Sequence, residues 1–195
     1  MNTADTVTTT VTVTTLEMTH PGQLRPRDPP PGNLALRRVV HPLPEFNRFL
    51  YTAVGADWYW TSRLDWDYPR WLAWVDRPTL ETWVLYLDDT PAGYFELDVQ
   101  TGGDVEVAYF GLLPSFTGRG LGGYLLSRAV QRAWQRGAAR VWLHTCTLDH
   151  PSALANYRAR GFQVVSTVTE QHQLPPCSPG PWPGAHRQNS PGAQS

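Results

Sequence analysis

Four glycines crowd into the six residues 118–123 of "YFGLLPSFTGRGLGGYLL", and an amphipathic stretch follows at once. A glycine in a helical turn costs roughly 1 kcal/mol relative to alanine, so a cluster of them at a helix entrance needs a reason. The first turn of a helix carries free N–H groups and the positive end of the dipole, which suits an anion that side chains would otherwise shield. The helix is legible from Arg119 to Arg136. Leu121, Leu125 and Ala129 recur four apart, Leu126, Val130 and Trp134 lie alongside, and Gly137 stands in the C′ position. The competing reading is a tight turn, glycine-rich for local reasons, before a core helix. The run of glycines into the first helical turn favours a phosphate.

The flanking segments say what carries this loop. "NLALRRVV" reads as a strand and "PEFNRFLYTAVG" as a helix, with Pro44 near its start and Gly55 past its end. "DYPRWLAWVDRP" is a second short helix bracketed by prolines. "TWVLYLDDTPAGYFELDVQTGGDVEVAYFGLL" divides at "DDTPAG" and "QTGGD" into three strands, an antiparallel meander. After the amphipathic helix, "ARVWLHTCTL" is a strand and "DHPSALANYRAR" a helix opened by Asp149 and Pro151 and closed by Gly161. "FQVVSTVTEQHQL" is a final strand. Strand, helix, strand at this spacing implies a parallel pair. The expected fold class is α/β in the α+β sense: a mixed central sheet with an antiparallel meander, one parallel strand pair and flanking helices.

Residues 34–174 hold this domain. Residues 1–33 are expected to be an edge strand near Val7 to Leu16 followed by a proline-rich linker. Residues 175–195, rich in Pro, Gly and Ser, are expected to be a flexible tail. A chain of 195 residues is long enough for one such domain. Its net charge of −1 provides no global basic field, so nucleic acid is not an expected partner. No apolar run approaches the roughly 20 residues that span a bilayer, and the N-terminus lacks a basic, then apolar, leader. With two cysteines, Cys146 and Cys177, and no disulfide framework, the expectation is a soluble cytoplasmic protein with no membrane partner.

"GRGLGG" also satisfies G-x-G-x-x-G. A dinucleotide fingerprint, however, follows its strand directly and opens a series of βαβ units with an acidic residue about 20 positions on. Here "LLPSFT" intervenes and only one strand, helix and strand follow. The string "AYFGLLPSFTGRGLGGYLL" resembles instead the acyl-CoA signature of the GNAT superfamily of N-acetyltransferases, in which a strand and proline precede Q/R-x-x-G-x-G/A and a helix. Downstream, "HPSALANYRARGF" is similar to that family's N-x-x-A-x-x-x-Y-x-x-x-G-F through Ala153, Tyr157, Gly161 and Phe162. The resemblance covers about residues 34–174. Thr117 stands where the family usually has Gln or Arg, and His150 where Asn is usual; the Thr117 hydroxyl is expected to cap the helix.

The resemblance implies transfer of an acetyl group from acetyl-CoA, as cosubstrate, to a primary amine by direct attack in a ternary complex. It assigns the coenzyme A pyrophosphate to Thr117, Gly118, Arg119, Gly120, Gly122 and Gly123, and the pantetheine arm to the strand edge at Phe110 and Leu112, with a local irregularity near Gly111. Amine attack needs a proton acceptor, because an alkyl amine has a pKa near 10. Glu106 is the candidate, placed by alternation on one face with Ala108, Phe110 and Leu112; Glu96 on the preceding strand is the second. Tyr157 matches the phenol that protonates the departing thiolate. The competing readings are an exposed strand carboxylate and a core tyrosine. Two other functions stay open: a non-catalytic acyl-CoA-binding sensor, and a dinucleotide-binding protein.

Nine tryptophans are a heavy load, and Trp58, Trp60, Trp66, Trp71 and Trp74 fall in one segment. Trp71 and Trp74, spaced i and i+3, read as core. Trp58, Trp60 and Trp66 are the expected substrate-binding residues, with Asp57, Asp65 and Asp67 nearby to hold a cationic amine. The acceptor is expected to be a small-molecule or peptide amine. "HTCTLDH" offers His144, Cys146 and His150, but no partner pair occurs at ligand spacing and no metal is expected. The alternating "TVTTTVTVTT" could pair with a second copy as a homodimer.

Overall fold

The computed structural model describes residues 6–182. Its centre is a seven-stranded sheet with β1 Val7–Met18, β2 Leu34–Arg38, β3 Leu80–Leu87, β4 Thr90–Val99, β5 Asp104–Leu112, β6 Arg140–Cys146 and β7 Gln163–Leu174. The strand order is β2-β3-β4-β5-β6-β1-β7, antiparallel throughout except for the β5–β6 pair. The meander, the parallel pair and the mixed sheet are those expected. Helices α1 Pro44–Gly55 and α2 Tyr68–Val75 cover one face, while α3 Leu121–Gln135 covers the other; α4 Ala153–Ala159 packs beside α3.

Local chemistry explains most boundaries. Asp88 and Asp89, both at positive φ, form the two-residue β3–β4 turn, so the break inside "DDTPAG" is tighter than its composition suggests. Gly137, at φ 80°, ends α3. Asp67 Oδ1 accepts from the Arg70 N–H at 2.9 Å and caps α2. α4 is shorter than expected: its N-cap is Ser152, and Asp149 instead turns back to accept from Thr145 Oγ1 and the Cys146 N–H.

The N-terminal strand departs from expectation. β1 is not an edge; it lies between β6 and β7, with Val11, Leu16 and Met18 buried, and β7 takes the edge. Its long-range partners settle this, since a Thr/Val alternation suits an edge and an interior strand alike. Nor is the proline-rich stretch a loose connection. The Arg25 N–H donates to the Arg160 carbonyl and the Arg27 N–H to Ser127 Oγ, both at 2.9 Å. After β7, the segment expected to be flexible is fastened as far as it is described. Tyr59 donates its hydroxyl to the Pro175 carbonyl, and the Ser178 hydroxyl donates to the Ala56 carbonyl. Residues 183–195 of that tail lie outside the described residues. Among the described residues no helix is long and apolar enough to cross a membrane.

Candidate active site

β5 and β6 pair only from Asp104–Arg140 to Glu106–Trp142 and then diverge. A cleft of about 970 Å³ opens there, with Phe110 and Leu112 of β5 on one side, Tyr157 and Asn156 of α4 on the other, and the glycine loop at one end. Past the last shared rung, β5 has a free backbone edge toward the cleft, while its other edge remains paired with β4.

The glycine loop is built as an open cradle. Gly118 (φ 76°) and Gly120 (φ 78°) take left-handed conformations, and Gly120 is the N-cap of α3 with no side-chain capping hydrogen bond to the free N–H groups. Thr117 does not cap the helix: its hydroxyl donates to the Pro114 carbonyl at 2.8 Å, closing the preceding turn. Thr117, Gly118, Gly120, Gly122 and Gly123 line the cleft. The Arg119 side chain lies over the Phe116 ring, 5.3 Å from its centroid, and is not among the lining residues.

Glu106 sits differently from its expected place. Glu96 pairs with Tyr109 and Leu97 with Val107, which leaves Ala108 as a bulge. The bulge, at Ala108 and not near Gly111, reverses the alternation. Val105 and Val107 face the α3 side, where Phe110 and Leu112 also pack, whereas Tyr109 packs on the α1 side. Glu106 therefore does not share a face with Phe110 and Leu112. Its carboxylate accepts from Gln100 Nε2 at 3.0 Å and lies 3.5 Å from His144 Nδ1. His144, on β6, lines the cleft where Glu106 does not. The Glu106 carboxylate raises the His144 imidazole above its ordinary value, with burial opposing and the Asp149 charge assisting. The sequence points to His144 only as a candidate metal ligand. Its sequence signal as a base was alternation within "HTCTLDH", but the pairing that brings it to Glu106 is tertiary.

Glu96, the second candidate base, is fully buried inside a structural network. It accepts from Asn47 Nδ2 at 3.0 Å, Trp74 Nε1 at 2.8 Å and Arg63 Nη1 at 3.3 Å. Arg63 in turn lies against the rings of Trp74, Tyr109 and Trp66, at 3.9, 4.1 and 4.7 Å. The aromatic cage suited to a cationic ligand already holds a cation of the chain itself. Trp66 belongs to that cage, meeting the Trp71 ring edge to face at 5.3 Å, and does not reach the cleft; Trp58 and Trp60 do. Trp58 meets the His150 ring edge to face at 5.1 Å, and the His150 Nδ1 accepts from the Ser152 N–H. Asp57, Asp65 and Asp67 do not line the cleft.

Tyr157 lines the cleft from α4, in edge contact with Phe110 at 6.1 Å and Phe162 at 6.3 Å. Burial pushes its phenol well above the ordinary range, with the Asp149 charge adding, so it stays protonated at neutral pH. Cys146 also lines the cleft, its thiol raised mainly by burial and therefore a poor nucleophile.

Solved structures share this architecture. A GCN5-related N-acetyltransferase from Sphaerobacter thermophilus superposes with a TM-score of 0.64 at 20% identity, over 88% of this chain and 54% of that one. A second, from Kribbella flavida, gives 0.59 at 21% identity, over 88% and 60%. An aminoglycoside acetyltransferase from an uncultured soil metagenomic sample gives 0.53 at 16% identity, over 65% of this chain and 86% of that one. The chain thus spans little more than half the length of the first two. No curated protein matches the sequence significantly. These likenesses define the class of fold, and the family assignment rests on the sequence. Residues 47–162, more than half of the chain, match the family model described as "Acetyltransferase (GNAT) family", and the chain belongs to that family.

Proposed function

We propose that the protein transfers an acetyl group from acetyl-CoA to a primary amine by direct attack in a ternary complex. The observation that carries this reading is the placement of the glycine-lined α3 N-terminus and the free β5 edge in one cleft with His144 and Tyr157. Gly118–Gly123 would hold the pyrophosphate by their N–H groups, and the backbone at Phe110 and Leu112 the pantetheine arm. Acetyl-CoA supplies the activated thioester. The amine nitrogen attacks the acetyl carbonyl carbon and gives up a proton, and the C–S bond breaks to release the thiolate. His144 takes that proton, held by the Glu106 carboxylate at its Nδ1, and Tyr157 donates one to the thiolate. Trp58 and Trp60 would face the acceptor, a small-molecule or peptide amine.

Calorimetric titration with acetyl-CoA, coenzyme A and NAD, on the wild type and on Gly120→Glu, tests the reading. The expected result is micromolar acetyl-CoA binding that disappears in the variant, whose carboxylate repels the pyrophosphate. Tight NAD binding with none of acetyl-CoA would sink it. Binding of acetyl-CoA without turnover across a panel of primary amines would leave a sensor in place of an enzyme.

A further inference from the structure

Arg27 and Arg160 meet over the entrance to α3. Arg27 comes from the stretch between β1 and β2, outside the residues that match the family, and its backbone is tied to Ser127, which itself donates to the Gly123 carbonyl. Arg160 follows α4. Both side chains come down on Gly123: a Cβ there would lie 2.6 Å from Arg160 Nη1 and 2.8 Å from Arg27 Cδ. A Cβ on Gly120 would stand 3.7 Å from Arg27 Nη2. Both arginines line the cleft. Among the described residues neither has a carboxylate within salt-bridge distance, and Arg160 Nε is buried without a hydrogen-bond partner.

Such an arrangement is unfavourable by itself. Two like charges share one end of a helix whose dipole is already positive there, and Arg160 is held below the usual guanidinium range, by burial first and by the Arg27 charge second. The cations have no counter-charge unless an anion lies between them. Planar guanidiniums match phosphate oxygens with paired N–H donors.

We propose that Arg27, from outside the family match, and Arg160, from the end of α4, form a two-guanidinium clamp for a phosphate group, closing over the glycine loop. On the acetyl-CoA reading above, on which the ligand's identity rests, this is a phosphate of the nucleotide half of coenzyme A, either in the pyrophosphate or at the 3′ position. Gly123 is then required less by the helix than by the close approach of the clamp.

The test is calorimetry on the wild type, Arg27→Gln, Arg160→Gln and the double Lys variant, titrated with acetyl-CoA, 3′-dephospho-acetyl-CoA, acetyl-pantetheine and inorganic pyrophosphate. Each Gln variant should bind acetyl-CoA about 10- to 100-fold more weakly, the factor set by a lost charge-assisted hydrogen bond. Acetyl-pantetheine binding should be unchanged, and the Lys variant should recover part of the loss. A loss that persists with the dephospho compound places the clamp on the pyrophosphate; a loss that vanishes places it on the 3′-phosphate. Without ligand, Arg27→Gln should melt no lower than the wild type, because repulsion is relieved. Acetyl-CoA affinity within twofold of wild type in both Gln variants, or an equal loss for acetyl-pantetheine, overturns the clamp. A wild type that ignores acetyl-CoA but binds pyrophosphate through these arginines keeps the clamp and removes the acetyl-CoA reading.

Discussion

At the scale of single residues, two strand carboxylates, Glu96 and Glu106, have different surroundings. Glu96 sits in a closed network of Arg63, Asn47 and Trp74. Removing one member of a buried ion pair leaves the other uncompensated, so Glu96→Ala should destabilise the fold by about 3–5 kcal/mol, measured by urea unfolding. Glu106 instead pairs with His144. Because the folded His144 pKa is raised above its unfolded value, the pair's contribution to stability is present below pH ~6.5 and lost as pH rises through the folded value. Glu106→Gln should therefore lower the melting temperature more at pH 6 than at pH 9. In turnover, the rate of the wild type should rise with pH through the His144 value, and Glu106→Gln should move that limb to lower pH. An unmoved limb would return the base role to another group. Tyr157→Phe should reduce kcat on the order of 10²-fold or more with acetyl-CoA affinity little changed, measured by thiol release. Glu106 and Tyr157 were legible as candidates from register and motif. Their surroundings were not, because the Ala108 bulge is set by register between β4 and β5 and the His144 contact by a strand far along the chain.

At the scale of elements, periodicity and capping chemistry carried the reading well. The α1 bounds, Pro44–Gly55, the long α3 and the three meander strands follow from apolar spacing, prolines and turn residues. The failures are where a partner decides. Thr117 caps its own turn, Asp149 folds back on β6, and Trp66 turns inward around Arg63. Gly161 shows how a motif glycine acquires a tertiary reason: at φ 105°, a Cβ would also fall 1.9 Å from the Gln23 carbonyl oxygen. Gly161→Ala should cost about 1–3 kcal/mol from the backbone alone, and more if Gln23 must shift. Thermal unfolding at neutral pH measures it, with Gly102→Ala as the comparison, since Gly102 has positive φ and open space.

For the whole molecule, β1 is the decisive piece. It pairs with β6 on one side and β7 on the other, and the connection that follows it delivers Gln23 to Gly161 and Arg27 to the glycine loop. A chain lacking residues 1–19 would leave the inner edge of β6 and the whole of β7 unpaired, and is expected to yield no folded monomer by circular dichroism and gel filtration. By itself the sequence determined the helices, the meander, the parallel pair and the glycine-lined entrance to α3, because these arise from spacing and backbone preference within short windows. Tertiary structure alone decided that the N-terminal strand is interior, that the β5–β6 pairing brings Glu106 to His144 while the bulge parts it from Phe110 and Leu112, that an arginine fills the tryptophan cage, and that two more arginines close over the loop. Those outcomes are set by which distant segments pair and by where burial forces each charge to find, or to await, its opposite.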